Sequence, residues 1–431
     1  VEGNLLAPSS EGQLRALRMA YAQAAWTPQM VDLIECHATG TPVGDAVEFE
    51  SLVRLWEGGR WQHAQCVLSA VKSNIGHLLT AAGSAGLIKT LLAMQHGKLP
   101  PVANFEHPSD KVRLDGSPFE ILKESRPWER RAADVPRRAA INGFGFGGIN
   151  AHLLIEEWLG ETGAPRERTS ARTIPPPEPV AVVGMATHVG RWPDLHAFQE
   201  RVLHGVPIEG PAERKEWRGL NSEQIHGVWG RGFPGYFLGD LFIPIERFHI
   251  APRELAEMLP QQLLMLDVAK SALDDARNPR LEPSRSGVFI GLGLDLRTTD
   301  FHFRWAMKQR AAEWARKAGL DTDSTEAGQW MARLCDGAGP PLTADRTLGA
   351  LGGIVASRIA REFRIGGPSH SVSSEETSGL RALEVAVRAL EKRELDIALA
   401  GAVDLNGDLR TLLTTDAVRP FSRDGTLPGE G

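Results

Sequence analysis

Short apolar runs alternate along the chain with longer segments that have a helical period. Before residue 159 the apolar runs are VDLIECH, CVLSAV, RAAINGFGFGG and NAHLLIEE, and the helical segments are EGQLRALRMAYAQAA and TAAGSAGLIKTLLAMQ. After residue 178 the apolar runs are PVAVVGMA, SGVFIGLG, PSHSVS and LDIALAGAVD, separated by LPQQLLMLDVAKSALDDA, RTLGALGGIVASRIAREF and TSGLRALEVAVRALEKRE. Near-continuously apolar strands that alternate with helices predict an α/β fold whose sheets are covered by helices on both faces.

A change in composition divides the chain into two parts. Residues 159–178 are rich in Pro, Arg, Ser and Thr and have no apolar periodicity. Their run of three prolines predicts an extended, semi-rigid connection. We therefore predict one domain over residues 1–158, a linker over 159–178 and a second domain over 179–431.

Composition and charge exclude several classes of protein. The net charge of −6 comes from interspersed acids and bases, which predicts neither a nucleic-acid nor a membrane partner. The three scattered cysteines, Cys36, Cys66 and Cys335, exclude a disulfide framework and a cysteine-based zinc site. With no export signal visible, we predict a cytoplasmic location. Because the sequence starts at Val1 and stops at GEG, we expect it to be a piece of a longer parent protein.

Three stretches of the first domain carry candidate chemistry. The stretch ECHATGTPVGDAVEFESL follows a predicted strand and presents His37, Thr39 and Thr41 at its carboxyl end, and KSNIGHLLTAAGSAG does the same for Lys72 and His77. Two neutral imidazoles that donate to one carbonyl oxygen would stabilise an enolate. The third stretch, NGFGFGGINAH, predicts a glycine-rich turn between two strands, whose N–H groups could form an oxyanion hole.

Each of these stretches also has a structural interpretation. A histidine at a strand end is more often a hydrogen-bonded structural residue, and a glycine cluster is more often a tight turn. The GFGFGG string is a weak match to a dinucleotide fingerprint, because a strand and not a helix is predicted after it. Cys36 and His37 are neighbours in a strand and point to opposite faces, so we predict Cys36 to be a small core residue and not half of a Cys/His dyad.

In order and spacing, ECHATGTPVGD, KSNIGHLLTAAG and NGFGFGGINAH resemble the three signatures of the C-terminal half of a β-ketoacyl synthase. The resemblance implies a thiolase-like fold with α/β/α/β/α layers. It implies that His37 and His77 are the catalytic histidines and that Lys72 supports them. The remaining implied site residues are Thr39 and Thr41 along the phosphopantetheine tunnel, Phe146 as a donor of an oxyanion N–H, and Phe144 in the same gating turn.

The second domain resembles the N-terminal half of the same family. PVAVVGMA resembles the first strand, and GGIVASRIAREFRIGGPSHSVSSEETSGL aligns with the stretch that carries the nucleophilic cysteine. FSRDGTLPGEG resembles the loop and strand beyond that stretch. Counted from GPS, the cysteine position holds Glu376. Chain-length factors are similar, because they keep the fold and lack the cysteine, although Gln and not Glu commonly replaces it.

The resemblance implies two half-domains of a multidomain polyketide or polyunsaturated fatty acid synthase. The parent would be an acyltransferase that condenses malonyl-acyl carrier protein, with decarboxylation, onto a cysteine-bound acyl chain. No bound cofactor is implied, because phosphopantetheine arrives on the acyl carrier protein that brings the acyl and malonyl groups. The second domain would form a pseudo-dimer with the synthase as a non-condensing chain-length factor. Lacking the nucleophilic cysteine, this chain alone is expected to be inactive.

Two other functions are compatible with the predicted fold. A degradative or biosynthetic thiolase-type acyltransferase shares the fold and would use coenzyme A, but KSNIGH argues against it. A non-catalytic thiolase-fold scaffold would keep the same elements without any chemistry.

Overall fold

The computed structural model describes residues 5, 7–160, 178–204, 211–213, 216–217, 220–277, 279–293, 296–405, 409–418 and 429–431. The chain divides into two compact units, Val1–Pro176 and Pro177–Gly431. The predicted linker, 159–178, lies outside the described residues except for 159, 160 and 178. Across the described ranges, no helix has both the length and the apolar character that a membrane crossing requires.

The first unit is built on a five-stranded sheet of order β4-β2-β1-β6-β7. Its strands are β1 (Leu33–Glu35), β2 (Cys66–Ser69), β3 (Lys98–Leu99), β4 (Phe119–Ile121), β5 (Arg126–Pro127), β6 (Arg138–Gly145) and β7 (Ile149–Glu156). Its helices are α1 (Ser10–Ala24), α2 (Gly44–Trp56), α3 (Lys72–Ile75) and α4 (Ala82–His96). Strands β4, β2, β1 and β6 are parallel, β7 is antiparallel to β6, and β3 pairs with β5 outside this sheet.

Alternate residues of the central strands face different cores. Ile34 and Leu68 pack with α1 and α2 in one buried cluster, whereas Leu33 and Val67 pack with α4 in another. This division follows from the two-residue period of a strand, which sends neighbouring side chains to opposite faces. The sheet is therefore covered on both sides, as the apolar runs predict.

The second unit has a three-stranded parallel sheet of order β13-β12-β14 among its described residues. Its strands are β8 (Ala212–Glu213), β9 (Glu216–Trp217), β10 (Leu220–Asn221), β11 (Pro234–Gly235), β12 (Ser286–Leu292), β13 (Ser369–Val372) and β14 (Ile397–Val403). Its helices are α5 (Leu195–His204), α6 (Ser222–Trp229), α7 (Pro252–Ala256), α8 (Pro260–Asp275), α9 (Asp300–Lys317), α10 (Thr325–Ala338), α11 (Ala344–Gly349), α12 (Val355–Glu362), α13 (Ser378–Glu391) and α14 (Leu409–Val418).

The central strand of this unit, β12, is buried along its whole length. Val288 and Ile290 pack with α8 and α12, while Phe289 between them packs with α13 on the other face. Helices therefore lie on both sides of this sheet as well.

Two predicted elements of the second unit are wrong. PVAVVGMA forms no strand, since it pairs with no described strand, and the Met185 N–H donates to Asp275 Oδ2, 2.8 Å away at the end of α8. The helix predicted over RTLGALGGIVASRIAREF is interrupted between α11 and α12. The Gly349 carbonyl accepts the Leu259 N–H and the Gln262 side chain, which end α11 through tertiary bonds. Residues 421–428, which make up most of FSRDGTLPGEG, lie outside the described residues.

The start of α13 rests directly on β12 at Gly291. A Cβ at this position would lie 2.5 Å from the Gly379 backbone nitrogen. We expect Gly291→Ala to lower the free energy of unfolding by about 1–3 kcal/mol, as overpacking of a core does. The matched control is Gly328→Ala on α10, where no atom lies within 4 Å and the better helix former should stabilise by about 0.5–1 kcal/mol. Equal shifts of the two variants in urea denaturation would contradict this account of β12 and α13.

Candidate functional site

The carboxyl ends of three adjacent strands bring candidate residues of the first unit together. His37 follows β1, His77 follows β2 and α3, and Phe144 lies near the end of β6. The His37 and His77 ring centroids are 5.4 Å apart with an interplanar angle of 81°, and those of His37 and Phe144 are 5.9 Å apart. Because β1 lies between β2 and β6 with parallel pairing, side chains beyond these three strands meet at one edge of the sheet.

The tautomer of His77 is set by a local hydrogen bond. The Leu79 N–H donates to His77 Nδ1 over 3.0 Å, so Nδ1 is an acceptor and the proton of the neutral ring lies on Nε2. Leu79 reaches this position with a φ of 50°, in the left-handed region that a leucine rarely adopts. The ring is therefore fixed as a donor through Nε2.

Both histidines are neutral at pH 7. Burial lowers the pKa of His37 to about 4, with further lowering by the Lys72 ammonium and by His77. Desolvation and Lys72 also lower the pKa of His77. Burial lowers the pKa of Lys72, and the carboxylates of Glu48 and Glu35 oppose that effect. Two neutral imidazoles beside one ammonium favour negative charge that develops between them.

The backbone of His37 is held by a buried carboxylate on α2. The His37 N–H donates to Glu48 Oε1 over 2.7 Å, and the Ala38 N–H donates to Glu48 Oε2 over 2.8 Å. Asn142 Nδ2 also donates to Glu48 Oε1, and His152 Nδ1 lies 2.7 Å from Asn142 Oδ1. Burial raises the pKa of Glu48, and these three donors oppose that rise. A chain of buried polar groups therefore runs from β7 to the loop of His37.

A second buried carboxylate holds the segment that leads to His77. Glu35, at the end of β1, accepts the Val71 N–H immediately before α3. Its other oxygen lies 3.1 Å from Lys89 Nζ on α4, and the Glu35 side chain is only 3% exposed. The start of α3, and with it Lys72, is thereby fixed to β1.

The other predicted site residues of the first unit lie on exposed turns. Thr39 Oγ1 and Thr41 Oγ1 are 3.1 Å apart, and Thr41 Oγ1 also accepts the Gly44 N–H at the start of α2. Phe146 begins the turn Phe146–Gly148 between β6 and β7, and its side chain is 55% exposed. The glycine-rich turn between two strands is therefore confirmed. Cys36 is buried in the core with α1 and α2, also as predicted.

Glu376 belongs to the second unit, in the turn between β13 and α13. The turn Glu375–Thr377 is exposed, and Glu375 has a φ of 50°. The nearby Asp404 has its pKa raised first by burial and then by the charge of Glu376. Glu376 therefore lies in the turn from β13 into α13, directly after a residue whose backbone is in the left-handed region.

The sequence interpretation missed Glu35 and Glu48 as parts of the site. Each is a single acid within an apolar run, Glu35 in LIEC and Glu48 in AVEF, which signals a buried and partnered carboxylate. Over the described part of the chain, no group of three or more His, Cys, Asp or Glu side chains is arranged to hold a metal ion.

Two domain models of one enzyme family match the two parts of the chain. A family model of the β-ketoacyl synthase N-terminal domain matches residues 177–428, and a model of its C-terminal domain matches residues 2–106. The chain belongs to the β-ketoacyl synthase family. The thiolase-like ketosynthase fold is therefore confirmed, with the C-terminal domain preceding the N-terminal domain along this chain.

Relatives of this β-ketoacyl synthase chain include components of large synthases. It is 29% identical over 418 residues to a polyunsaturated fatty acid synthase subunit of Thraustochytrium sp., covering 94% of this chain and 19% of that protein. It is 42% identical over 200 residues to polyketide synthase GfsA of Streptomyces halstedii, covering 46% of this chain and 2% of that protein. The chain thus spans a fifth or less of the length of these relatives.

A solved structure that matches the whole chain contains both kinds of domain. The PfaC keto synthase-chain length factor is 28% identical with a TM-score of 0.79, and the match covers all of this chain and 46% of that one. The expected arrangement, a ketosynthase part followed by a part similar to a chain-length factor, is therefore supported in both sequence and fold.

The depressed pKa of His37 is directly measurable. We expect the His37 ring to titrate near pH 4 in NMR spectra. Between about pH 6.5 and pH 4, the unfolded chain binds a proton on this ring that the folded chain does not bind. The free energy of unfolding should therefore fall as the pH is lowered through this range. Lys72→Met should raise this pKa by removing a positive charge, whereas Lys98→Met on β3 should not change it. Titration of His37 near pH 6.5 would contradict the burial described here.

Proposed function

We propose that the parent of this chain catalyses a decarboxylative Claisen condensation between a malonyl thioester and a cysteine-bound acyl chain. The observation that carries the proposal is the pair of neutral imidazoles, His37 and His77, whose rings meet at the carboxyl edge of the first sheet. Neutral rings donate hydrogen bonds to an oxyanion through their N–H groups, and these groups are not acidic enough to protonate it.

In the proposed decarboxylation, both histidines hydrogen-bond the thioester carbonyl oxygen of the malonyl group. His77 donates through Nε2, because its Nδ1 already accepts the Leu79 N–H. The bond to the carboxylate carbon breaks, its electron pair forms an enolate whose oxygen the two donors stabilise, and carbon dioxide leaves. The Lys72 ammonium, whose charge acts on both rings, favours the same developing negative charge.

The enolate carbon then attacks the carbonyl carbon of the acyl thioester, and the cysteine thiolate departs. The backbone N–H of Phe146 is the proposed donor to the oxyanion of this second step, and Phe144 forms a wall of the pocket beside His37. The described cysteines do not serve as the nucleophile, because all three are buried, and burial raises the pKa of Cys36 and Cys66. We assign the acylated cysteine to a part of the parent beyond this chain.

The acyl and malonyl groups arrive, in this proposal, on the phosphopantetheine arm of an acyl carrier protein. The two exposed hydroxyls of Thr39 and Thr41 fit the amide groups of such an arm, because each hydroxyl both donates and accepts hydrogen bonds. These threonines hold and orient the arm near His37.

The second unit acts as a non-condensing chain-length factor. Glu376 occupies the predicted position of the nucleophile, and a carboxylate there does not replace a thiol, because an acyl anhydride would be hydrolytically labile. The unit therefore pairs with a ketosynthase as a pseudo-dimer and shapes the acyl pocket. The matches to ketosynthase models favour this function over a thiolase-type acyltransferase.

The histidine pair gives the sharpest test of the proposal. In the parent, we expect His37→Ala and His77→Ala each to slow release of carbon dioxide from malonyl carrier protein by about 10²- to 10³-fold, the usual effect of removing one oxyanion donor. Transfer of an acyl chain to the upstream cysteine should persist, because neither ring is needed as the nucleophile. Labelled malonyl and acyl carrier proteins measure the two half-reactions separately.

His107→Ala, which changes an exposed histidine of the same unit, is the matched control and should leave both half-reactions unchanged. Purely structural histidines would instead lower the melting temperature and reduce both half-reactions together. Variants that melt normally and release carbon dioxide at the parental rate would refute the proposed roles.

A separate prediction concerns Glu376. If its carboxylate has no chemical role, Glu376→Gln in the parent should keep turnover and product length within a few-fold, since either side chain accepts hydrogen bonds at a helix start. Product chain lengths from mass spectrometry measure the effect. A folded variant with little remaining activity would show that the carboxylate itself takes part.

A further inference from the structure

The backbone around His37 has a strained conformation that one buried side chain stabilises. Ala38 has a φ of 30°, inside the left-handed region that disfavours residues with a Cβ. The N–H groups of His37 and Ala38 consequently point the same way, and the two oxygens of Glu48 accept them at 2.7 and 2.8 Å. Successive N–H groups arranged in this manner form a site for an anion.

The neighbours of Glu48 determine its state. Glu48 is 5% exposed and Asn142 is 3% exposed, so neither relies on bulk water for its hydrogen bonds. The carboxylate only accepts, so the amide nitrogen of Asn142 must face it and the amide oxygen must face His152. His152 Nδ1 therefore donates. While Glu48 is ionised, each of these three hydrogen-bonded side chains therefore has one possible orientation.

We propose that Glu48 is a positioning residue that sets the direction of the His37 imidazole by holding the strained His37–Ala38 backbone, with Asn142 and His152 fixing the carboxylate in place. This inference rests on the proposed function of His37, which it deepens. Glu48 touches no reacting atom and acts only through the hydrogen bonds that it accepts from the backbone N–H groups of His37 and Ala38.

The test is Glu48→Gln, an isosteric change that presents an NH2 group to a backbone N–H. In the 431-residue chain, we expect hydrogen exchange at the His37 and Ala38 amides, followed by NMR, to speed up by at least about tenfold, with shifted resonances. In the parent, decarboxylation of malonyl carrier protein should fall about 10- to 100-fold, as misplacement of a catalytic group by about 1 Å does. Acyl transfer to the upstream cysteine should persist.

A second substitution separates positioning from general stability. Glycine adopts the φ of residue 38 without strain, so Ala38→Gly added to Glu48→Gln should recover about fivefold of the lost decarboxylation rate. The matched control is Glu50→Gln, two residues along α2, where the side chain is 60% exposed. This control should change neither the amides nor either half-reaction.

The outcomes are distinct. A folded Glu48→Gln variant with unchanged exchange at both amides, or without rescue by Ala38→Gly, overturns the inference. A lower melting temperature with unchanged amides would indicate a merely structural role and overturns it equally. If the unaltered parent releases no carbon dioxide, the proposed function fails, while the amide measurements in the chain still decide whether Glu48 holds the backbone.

Discussion

At the carboxyl ends of its parallel strands, the first unit must supply hydrogen-bond acceptors for backbone N–H groups that no neighbouring strand pairs with. Where a parallel strand ends, its next N–H groups lose their neighbours and must find other acceptors. Glu48 supplies those acceptors for the loop of His37, and Glu35 supplies one for Val71 before α3. Since a buried carboxylate is itself costly without donors, loop and acid stabilise each other. The meeting of the His37 and His77 rings follows from this mutual requirement.

Elements with a clear local period were predictable, and those that depend on distant partners were not. The strands β1, β2, β6, β7, β12, β13 and β14 coincide with apolar runs, and β1, β2 and β12 are buried along their whole length, which leaves a local signature. PVAVVGMA has the same signature and forms no strand, since pairing depends on another segment. The break between α11 and α12 arises from bonds to Leu259 and Gln262, about 90 residues away along the chain. Helices α9 and α10, which were not predicted, bury mainly small residues, such as Ala311 and Ala315 on α9 and Ala327 on α10.

The spacing of the motifs predicted correctly that His37, His77 and Phe144 lie together, because the carboxyl ends of parallel strands share one edge of the sheet. It did not identify Glu48 as a partner of His37, since an acid in an apolar run indicates burial but not which N–H groups it meets. That assignment requires the path of the chain from β1 into α2, which brings Glu48 back to the loop of His37. The backbone conformations of Ala38, Leu79 and Glu375, all with positive φ, could not be predicted from the sequence either. Each costs on the order of 1–2 kcal/mol, and surrounding bonds hold it in place.

Three hydrogen bonds among Ser374, Glu375, Thr377 and Ser378 shape the turn before α13. Ser378 Oγ accepts the Ser374 N–H and donates to the Glu375 carbonyl, and Thr377 bonds back to Ser374. None of these bonds uses the side chain of Glu376. In evolutionary terms, these three bonds place no requirement on which side chain occupies position 376, so a substitution there leaves them intact.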